Sequence, residues 1–149
     1  MKISLKKYYI FVESDLFVSI LGSFSGLGSE AQGLGIWPFL IIRSNLKLPH
    51  KKEELIRHER IHLAQQIELL IVGAFILNLF EYLYARLVKK LSKRDSYYFS
   101  AAEQEAHRNA MNQDYLNKRK PYAMLYYIKN KKKLSRDIDD NLITEAYKI

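Results

Sequence analysis

Cysteine is absent from this chain of 149 residues, and its absence limits both cross-linking and metal chemistry. Disulfide bonds and thiolate ligands are excluded, so a bound metal ion would have to be held by histidine, aspartate or glutamate. A chain without cysteine also suits a reducing compartment. Residues 13–15 (Glu-Ser-Asp) interrupt the apolar part that an N-terminal signal peptide would need. We therefore expect a cytoplasmic protein.

A long apolar run is missing as well. The most apolar segment, residues 69–80 (LLIVGAFILNLF), is shorter than the roughly 20 residues that a transmembrane helix requires. A wider window brings in the charged residues Glu68, Glu81 and Arg86. We expect a buried or interfacial helix in this segment, and peripheral contact with a membrane remains an open alternative.

Acidic residues are outnumbered, with 16 aspartates and glutamates against 24 lysines and arginines, which gives a formal net charge of +8. The basic excess is clustered in short runs at residues 47–52, 89–94, 118–120 and 129–133. Such runs attract nucleic acid or anionic lipid. Because no nucleic-acid-binding motif accompanies them, we expect a solvated basic surface and no specific nucleic-acid partner, with an anionic membrane surface as an alternative partner.

The composition predicts one folded domain, because 48% of the residues are hydrophobic and the chain is long enough to enclose a core. We predict a single, predominantly helical α+β domain over residues 1–149. Strands are expected within residues 1–45, a helical core over residues 49–133, and a polar tail over residues 134–149.

Three short segments in the N-terminal part have the residue types of strands. Two β-like runs occupy residues 8–12 and 17–21, and a third strand is predicted over residues 36–42. Pro38 lacks a backbone N–H, which places the third strand at a sheet edge. Five of the six glycines lie between residues 22 and 35, and we expect them to form a mobile loop.

Helical spacing of the apolar residues begins at Pro49, a residue that suits a first helical position. The pattern continues to about residue 90, and a bend near Gly73 would divide it into two helices. Further helices are predicted over residues 100–116 and 121–133.

Residues 58–62 read HERIH, which is an HExxH motif within the first predicted helix. Positions i and i+4 share one helix face, so His58 and His62 can offer imidazole nitrogens to the same Zn²⁺ ion. Both histidines share a stripe with apolar residues and are therefore expected to point inward. Glu59 is turned by about 100° from His58 and is expected to act as a general base beside the metal.

Two histidines leave a catalytic zinc site one protein ligand short. Candidates occur in the segment EQEAH, where Glu103 and His107 share a helix face and Glu105 points elsewhere. We expect Glu103 to be the third ligand, although SAAE at residues 100–103 is also a capping-box pattern, in which Glu103 would bond the start of its own helix. His107 is expected to orient a ligand or to donate to a developing oxyanion.

The runs RHERIHLAQQIELL and EQEAHRNAMNQDYL resemble segments of a group of small bacterial HExxH proteins. In that group a W/F-P-F-type segment precedes the helix, as IWPFLIIRS does here. The resemblance covers about residues 35–130. It implies a zincin-like core in which a substrate peptide lies along an edge strand.

The segment EQEAH is also similar to the ExxAD segment of gluzincin-type peptidases, whose leading glutamate is a zinc ligand. That similarity implies Glu103 rather than Glu105 as the ligand. His107 stands where those peptidases have aspartate, so its role departs from their pattern.

These residues predict a zinc-dependent peptidase acting on peptide or protein substrates, in which Glu59 activates water and His107 assists. Tyr115 is a weaker candidate for an oxyanion donor, and ordinary packing explains it equally well. A second hypothesis is a zinc-binding protein without hydrolytic activity, in which Glu105 or His107 closes the coordination sphere. A third is a basic module that docks on an anionic membrane through residues 69–80.

Overall fold

A computed structural model describes the protein over residues 2–5, 8–23, 31–46 and 48–131. The predicted polar tail, residues 134–149, lies outside these residues. The described part has an α+β architecture that is mostly helical, as predicted. Its elements are β1 (Lys2–Leu5), β2 (Ile10–Glu13), α1 (Asp15–Gly22), β3 (Gly33–Ile36), β4 (Phe39–Ile42), α2 (Pro49–Glu68), α3 (Val72–Leu87), α4 (Lys93–Tyr98), α5 (Ala101–Asn109), α6 (Tyr115–Lys118) and α7 (Met124–Lys129).

The four described strands form one mixed sheet in the order β1-β2-β4-β3. β2 is antiparallel to β1 and parallel to β4, and β4 is antiparallel to β3. Successive side chains point to opposite sides of the sheet. Phe11 and Leu40 therefore pack with Leu63 of α2, whereas Val12 packs with Val18 of α1. The sheet is thus covered by α1 on one face and by α2 on the other.

The strand predicted for residues 17–21 is wrong, because these residues lie in α1. The side-chain oxygen of Ser14 accepts a hydrogen bond from the N–H of Phe17 at 3.3 Å, which caps the helix start. Asp15 adds a negative charge in the first turn, where the helix dipole favours it. These local signals outweigh the strand preference of the apolar residues that follow.

The single edge strand predicted for residues 36–42 is also wrong. Trp37 and Pro38 form the turn of a hairpin that joins β3 to β4, and β4 lies inside the sheet between β2 and β3. β3 occupies the end of the strand order instead. The mobile loop predicted between residues 22 and 35 is wrong at both ends, because Gly22 belongs to α1 and Gly33 and Gly35 belong to β3; its middle, residues 24–30, lies outside the described residues.

The predicted division of the helical stretch after Pro49 is confirmed, and the break at residues 69–71 lies near Gly73, as expected. Leu70 and Ile71 have positive φ angles of 54° and 60°, and the two helices are bent by 109°. Across the described residues no single helix is long and apolar enough to span a membrane. α2 and α3 meet that criterion only together, as a bent pair, by length and composition.

The helix predicted over residues 100–116 is shorter in the structure, where α5 ends at Asn109 and α6 follows separately. α7 falls within the predicted range 121–133. Buried Ala101 and Ala102 pack against Met124 of α7, and α5 also lies against α2. Because these side chains are small, α5 can approach its neighbours closely and bring its polar face to the HExxH helix.

Candidate metal centre

Four side chains from α2 and α5 meet in the space between the two helices. The carboxylate of Glu103 lies at their centre. Its Oε1 is 3.2 Å from Nε2 of His62, and its Oε2 is 3.4 Å from Nε2 of His58 and 3.3 Å from Nε2 of His107. The four side chains are at most 17% exposed. The structure therefore brings together the three expected ligands, His58, His62 and Glu103, with His107 beside them.

The start of α5 determines where Glu103 points. The hydroxyl oxygen of Ser100 accepts a hydrogen bond from the backbone N–H of Glu103 at 3.2 Å, which is the serine half of the capping box that SAAE predicted. The carboxylate of Glu103 is directed at the histidines rather than back at the helix start. The backbone of this residue thus takes part in capping, and its side chain remains available to a ligand.

The cluster can hold a metal ion. Ligand atoms of His58, Glu103 and His107 all lie within 4.8 Å of one another. His62 is outside that group, although its Nε2 lies 3.0 Å from Nε2 of His58. Within the described part of the chain, Oε2 of Glu103 is buried and forms no hydrogen bond, a situation that a nearby cation would relieve. A donor set of imidazole nitrogens and one carboxylate fits zinc and related divalent ions.

Burial and mutual charge strongly perturb the titration of the cluster. Burial, followed by the charge of His107, lowers the pKa of His58 to about 4. Burial acts on His62 in the same direction, but the Glu103 carboxylate outweighs it and raises that pKa to about 9. Burial alone would raise the pKa of Glu103, whereas His62 and the other two imidazoles hold it well below its usual value. Metal binding would therefore have to displace a proton from His62.

Glu59 is buried beside this cluster and lies against β3. Burial raises its pKa to about 7, and the charge of His62 opposes the rise. The backbone N–H of Gly35 donates a hydrogen bond to its carboxylate. A Cβ atom on Gly35 would lie only 2.8 Å from the backbone oxygen of Glu59, and one on Gly33 would lie 3.0 Å from Oε1. The two glycines allow β3 to touch the HExxH helix at its acidic residue.

The G-x-G spacing of these glycines is the signal that could have revealed this contact. Residues i and i+2 of a strand face the same side, so Gly33 and Gly35 leave one smooth strip of backbone. Gln66 fastens the same strand to α2: its Nε2 donates to the carbonyl oxygen of Gly35 at 2.6 Å, and its Oε1 accepts from the N–H of Trp37 at 2.8 Å.

A buried polar network holds His62 from the side away from Glu103. Nδ1 of His62 lies 2.9 Å from Oε1 of Gln65, and Nε2 of Gln65 donates to Oε2 of Glu105 at 3.0 Å. Once metal binding has displaced one proton, Nδ1 keeps the proton that it donates to Gln65, and Nε2 is left to face the cluster. The network therefore fixes both the rotation and the tautomer of His62.

Glu105 is the centre of that network and is fully buried. Its carboxylate accepts hydrogen bonds from Nε of Arg119 at 2.5 Å and from the hydroxyl of Tyr115 at 3.0 Å. Glu105 is consequently engaged away from the four clustered side chains and does not close a coordination sphere. The suggested role of Tyr115 as an oxyanion donor is corrected for the same reason, because its hydroxyl is bonded to Glu105.

Sequence reasoning missed Tyr97, which α4 brings to the cluster. Its hydroxyl forms a hydrogen bond with the Glu103 carboxylate, and burial together with that negative charge raises its pKa well above the usual value. The helix itself was not predicted, although Ser92 accepts a hydrogen bond from the N–H of Asp95 at 3.0 Å in a recognisable S-x-x-D cap. This capping pattern would have predicted the helix, but it would not have predicted that the side chain of Tyr97 points toward Glu103.

No protein-family profile, curated protein or solved structure matches this chain. The resemblance to small bacterial HExxH proteins therefore stays a prediction, and so does a zincin-like core.

Proposed function

We propose that this protein is a zinc-dependent hydrolase of peptide bonds, with His58, His62 and Glu103 as the metal ligands. One observation carries the proposal. The Glu103 carboxylate, supplied by a separate helix, lies 3.2 Å and 3.4 Å from the Nε2 atoms of the two histidines of the HExxH motif. This is a His-His-Glu donor set of the kind that catalytic zinc sites use.

The protonation of Glu59 suits the role of general base. Zinc bound at the cluster would polarise a substrate carbonyl and lower the pKa of a water molecule toward about 7. Glu59, with a pKa of about 7, can accept a proton from that water near neutral pH and return it to the leaving amine. The N–H of Gly35 holds the carboxylate in place during both transfers.

Two other groups next to Glu103 are suited to polarising the substrate. The hydroxyl of Tyr97 and the imidazole of His107 both contact the Glu103 carboxylate; coordination of that carboxylate to zinc would release either group to donate to an oxygen that develops negative charge beside the metal. The expected peptide site along an edge strand is not extended to β3, because the backbone N–H and carbonyl oxygen of Gly35 are already bonded to Glu59 and Gln66 of α2.

The test compares Glu59→Gln with a matched control, Glu53→Gln, on the same helix. Glu53 has a side chain that is 70% exposed and lies outside the cluster, so the same chemical change there should have no effect. Zinc is measured by elemental analysis, and turnover is measured with a quenched-fluorescent peptide library. Glu59→Gln should keep one zinc per chain and lose about 10²–10⁴-fold in turnover. Wild-type protein that purifies without metal, or a Glu59→Gln variant with full turnover, would refute the proposal.

A second candidate function follows from the position of His107. Because its Nε2 belongs to the group that can hold a metal, three imidazoles and Glu103 would complete a closed, four-coordinate structural site. His107→Ala separates the two functions. A structural site should lose zinc affinity and melt at a lower temperature, whereas the hydrolase should keep its zinc and lose turnover.

A further inference from the structure

α3 carries its large apolar side chains on the outside of the protein. They recur at i, i+3, i+4 and i+7, so they form one continuous stripe along the helix. Their exposed fractions range from 40% to 72%. The stripe, called here the α3 stripe, consists of Val72, Phe75, Ile76, Leu79, Phe80, Leu83, Tyr84 and Leu87.

The opposite face of α3 packs against the protein mainly through small and charged residues, with Leu77 as a large apolar exception. Ala74, Glu81 and Ala85 are its buried residues. A helix on the surface of a globular protein normally turns its apolar face to the core, and α3 does the reverse. A buried or interfacial helix was predicted for residues 69–80, and the exposed stripe agrees with the interfacial form rather than the buried one.

No exposed charge interrupts the α3 stripe. Between residues 70 and 88 the charged residues are Glu81 and Arg86. Glu81 is 9% exposed; it accepts a hydrogen bond from the N–H of Ala101 at 2.8 Å and pairs with Lys131. Arg86 is half-buried and donates to the carbonyl oxygen of Leu91. A helix of this length presents an apolar strip about 24 Å long, and an exposed apolar patch of such extent marks an interaction site.

A basic cluster adjoins the C-terminal end of the α3 stripe. Lys89, Lys90, Lys93 and Arg94 are exposed there, with Asp95 as the one acidic residue among them. An apolar helix face beside clustered lysine and arginine is the arrangement that binds the interface of an anionic bilayer. We propose that the α3 stripe docks this protein on an anionic membrane surface, with the basic cluster against the lipid headgroups.

Charge favours a lipid surface over a second copy of this chain. In a parallel pairing of two α3 helices, the two basic clusters would meet and repel each other. In an antiparallel pairing, each cluster would face the other end of α3, where Glu68 is engaged by Arg119 at 3.0 Å. A membrane containing anionic phospholipid supplies the negative charge that the partner helix lacks.

The first test replaces apolar residues of the stripe. Full-length Leu79→Glu/Phe80→Glu is compared with Leu16→Glu/Ile20→Glu, which changes two exposed apolar residues of α1 in the same way. Co-sedimentation is measured with vesicles of phosphatidylcholine and of its mixture with phosphatidylglycerol. The wild type should bind the mixed vesicles, and the α3 variant should lose about tenfold in partition coefficient for each side chain removed. The α1 variant should bind like the wild type.

The second test replaces basic residues. Lys89→Gln/Lys93→Gln should weaken binding to the mixed vesicles by about fivefold for each lysine, whereas Lys118→Gln/Lys120→Gln should not. Circular dichroism establishes that each variant is folded. The proposal is overturned by wild-type protein that ignores both vesicles or binds both equally, or by equal losses in the α1 and α3 variants. It is also overturned if light scattering shows that the α3 variant dissociates a lipid-independent dimer.

Discussion

Replacing Gly35 with alanine tests how closely β3 must approach the HExxH helix. The added Cβ atom would lie 2.8 Å from the backbone oxygen of Glu59 and 3.3 Å from its Oε2. The backbone oxygen is held within α2 and cannot rotate away, so β3 would have to move outward. Forcing a methyl group into a packed position costs about 1–3 kcal/mol, and we expect Gly35→Ala to be destabilised by that amount.

Two other glycines provide graded controls. A Cβ atom at Gly33 would meet Oε1 of Glu59 at 3.0 Å and Cδ1 of Leu55 at 3.2 Å, which are the ends of side chains that can move. Gly33→Ala should therefore lower the free energy of unfolding by less than Gly35→Ala does. A Cβ atom at Gly73 would meet its nearest neighbour, Cβ of Leu69, at an ordinary 3.5 Å. Gly73→Ala should stabilise the protein by up to about 1 kcal/mol, because alanine favours helix over glycine.

None of these three glycines has a positive φ. The predicted order of the stabilities of the three variants therefore reflects the room for a Cβ atom rather than backbone strain. The free energy of unfolding is measured by urea titration with circular dichroism, in EDTA so that metal binding does not contribute. Zinc content and turnover are measured on the same variants. Gly35→Ala should keep its zinc, because the ligands lie on α2 and α5, and lose turnover, because the outward shift of β3 removes the hydrogen bond from the N–H of residue 35 that positions the Glu59 carboxylate. A Gly35→Ala variant as stable as the wild type, or no less stable than Gly33→Ala, would refute the reasoning.

Three further predictions concern the polar groups around the cluster. Glu105→Ala should cost about 3–5 kcal/mol in urea unfolding, because it leaves Arg119 buried with a weaker set of partners; a cost below about 1 kcal/mol would contradict this. Gln65→Ala should weaken zinc binding by about 10–100-fold in a competition titration, since His62 loses the group that orients it. Tyr97→Phe should keep the zinc and the fold while turnover falls, and unchanged turnover would show that its hydroxyl only packs against Glu103.

The pair of histidines could be predicted from sequence because the spacing that unites them is local to one helix. His58 and His62 share a face in any α-helix, whatever packs against it. The position of Glu103 close to these two histidines was predicted because a catalytic zinc site with two histidines requires a third protein ligand. The partners of Glu59 were not predicted, because Gly33 and Gly35 reach it only through the packing of β3 on α2.

Which face of α3 packs against the protein could not be predicted from the sequence. Hydropathy identifies residues 69–80 as apolar, but it does not tell which face of a helix packs against the protein. Here the inward face is chosen by Ala74 and Ala85, which are small enough for close packing, and by Glu81, which needs buried partners. The large side chains are left on the outside, a result that only the tertiary structure reveals.

The two sequence interpretations of Glu103, helix cap and metal ligand, are reconciled by the helix that was missed. In a full capping box the glutamate side chain returns to the N–H of the capping residue. Here the N–H of Ser100 already donates to the carbonyl oxygen of Tyr97 at 3.2 Å, because α4 ends immediately before α5 begins. The carboxylate of Glu103 has no capping role left to fill and can turn toward the histidines. α4 thus supplies Tyr97 to the cluster and also frees the carboxylate that Tyr97 contacts.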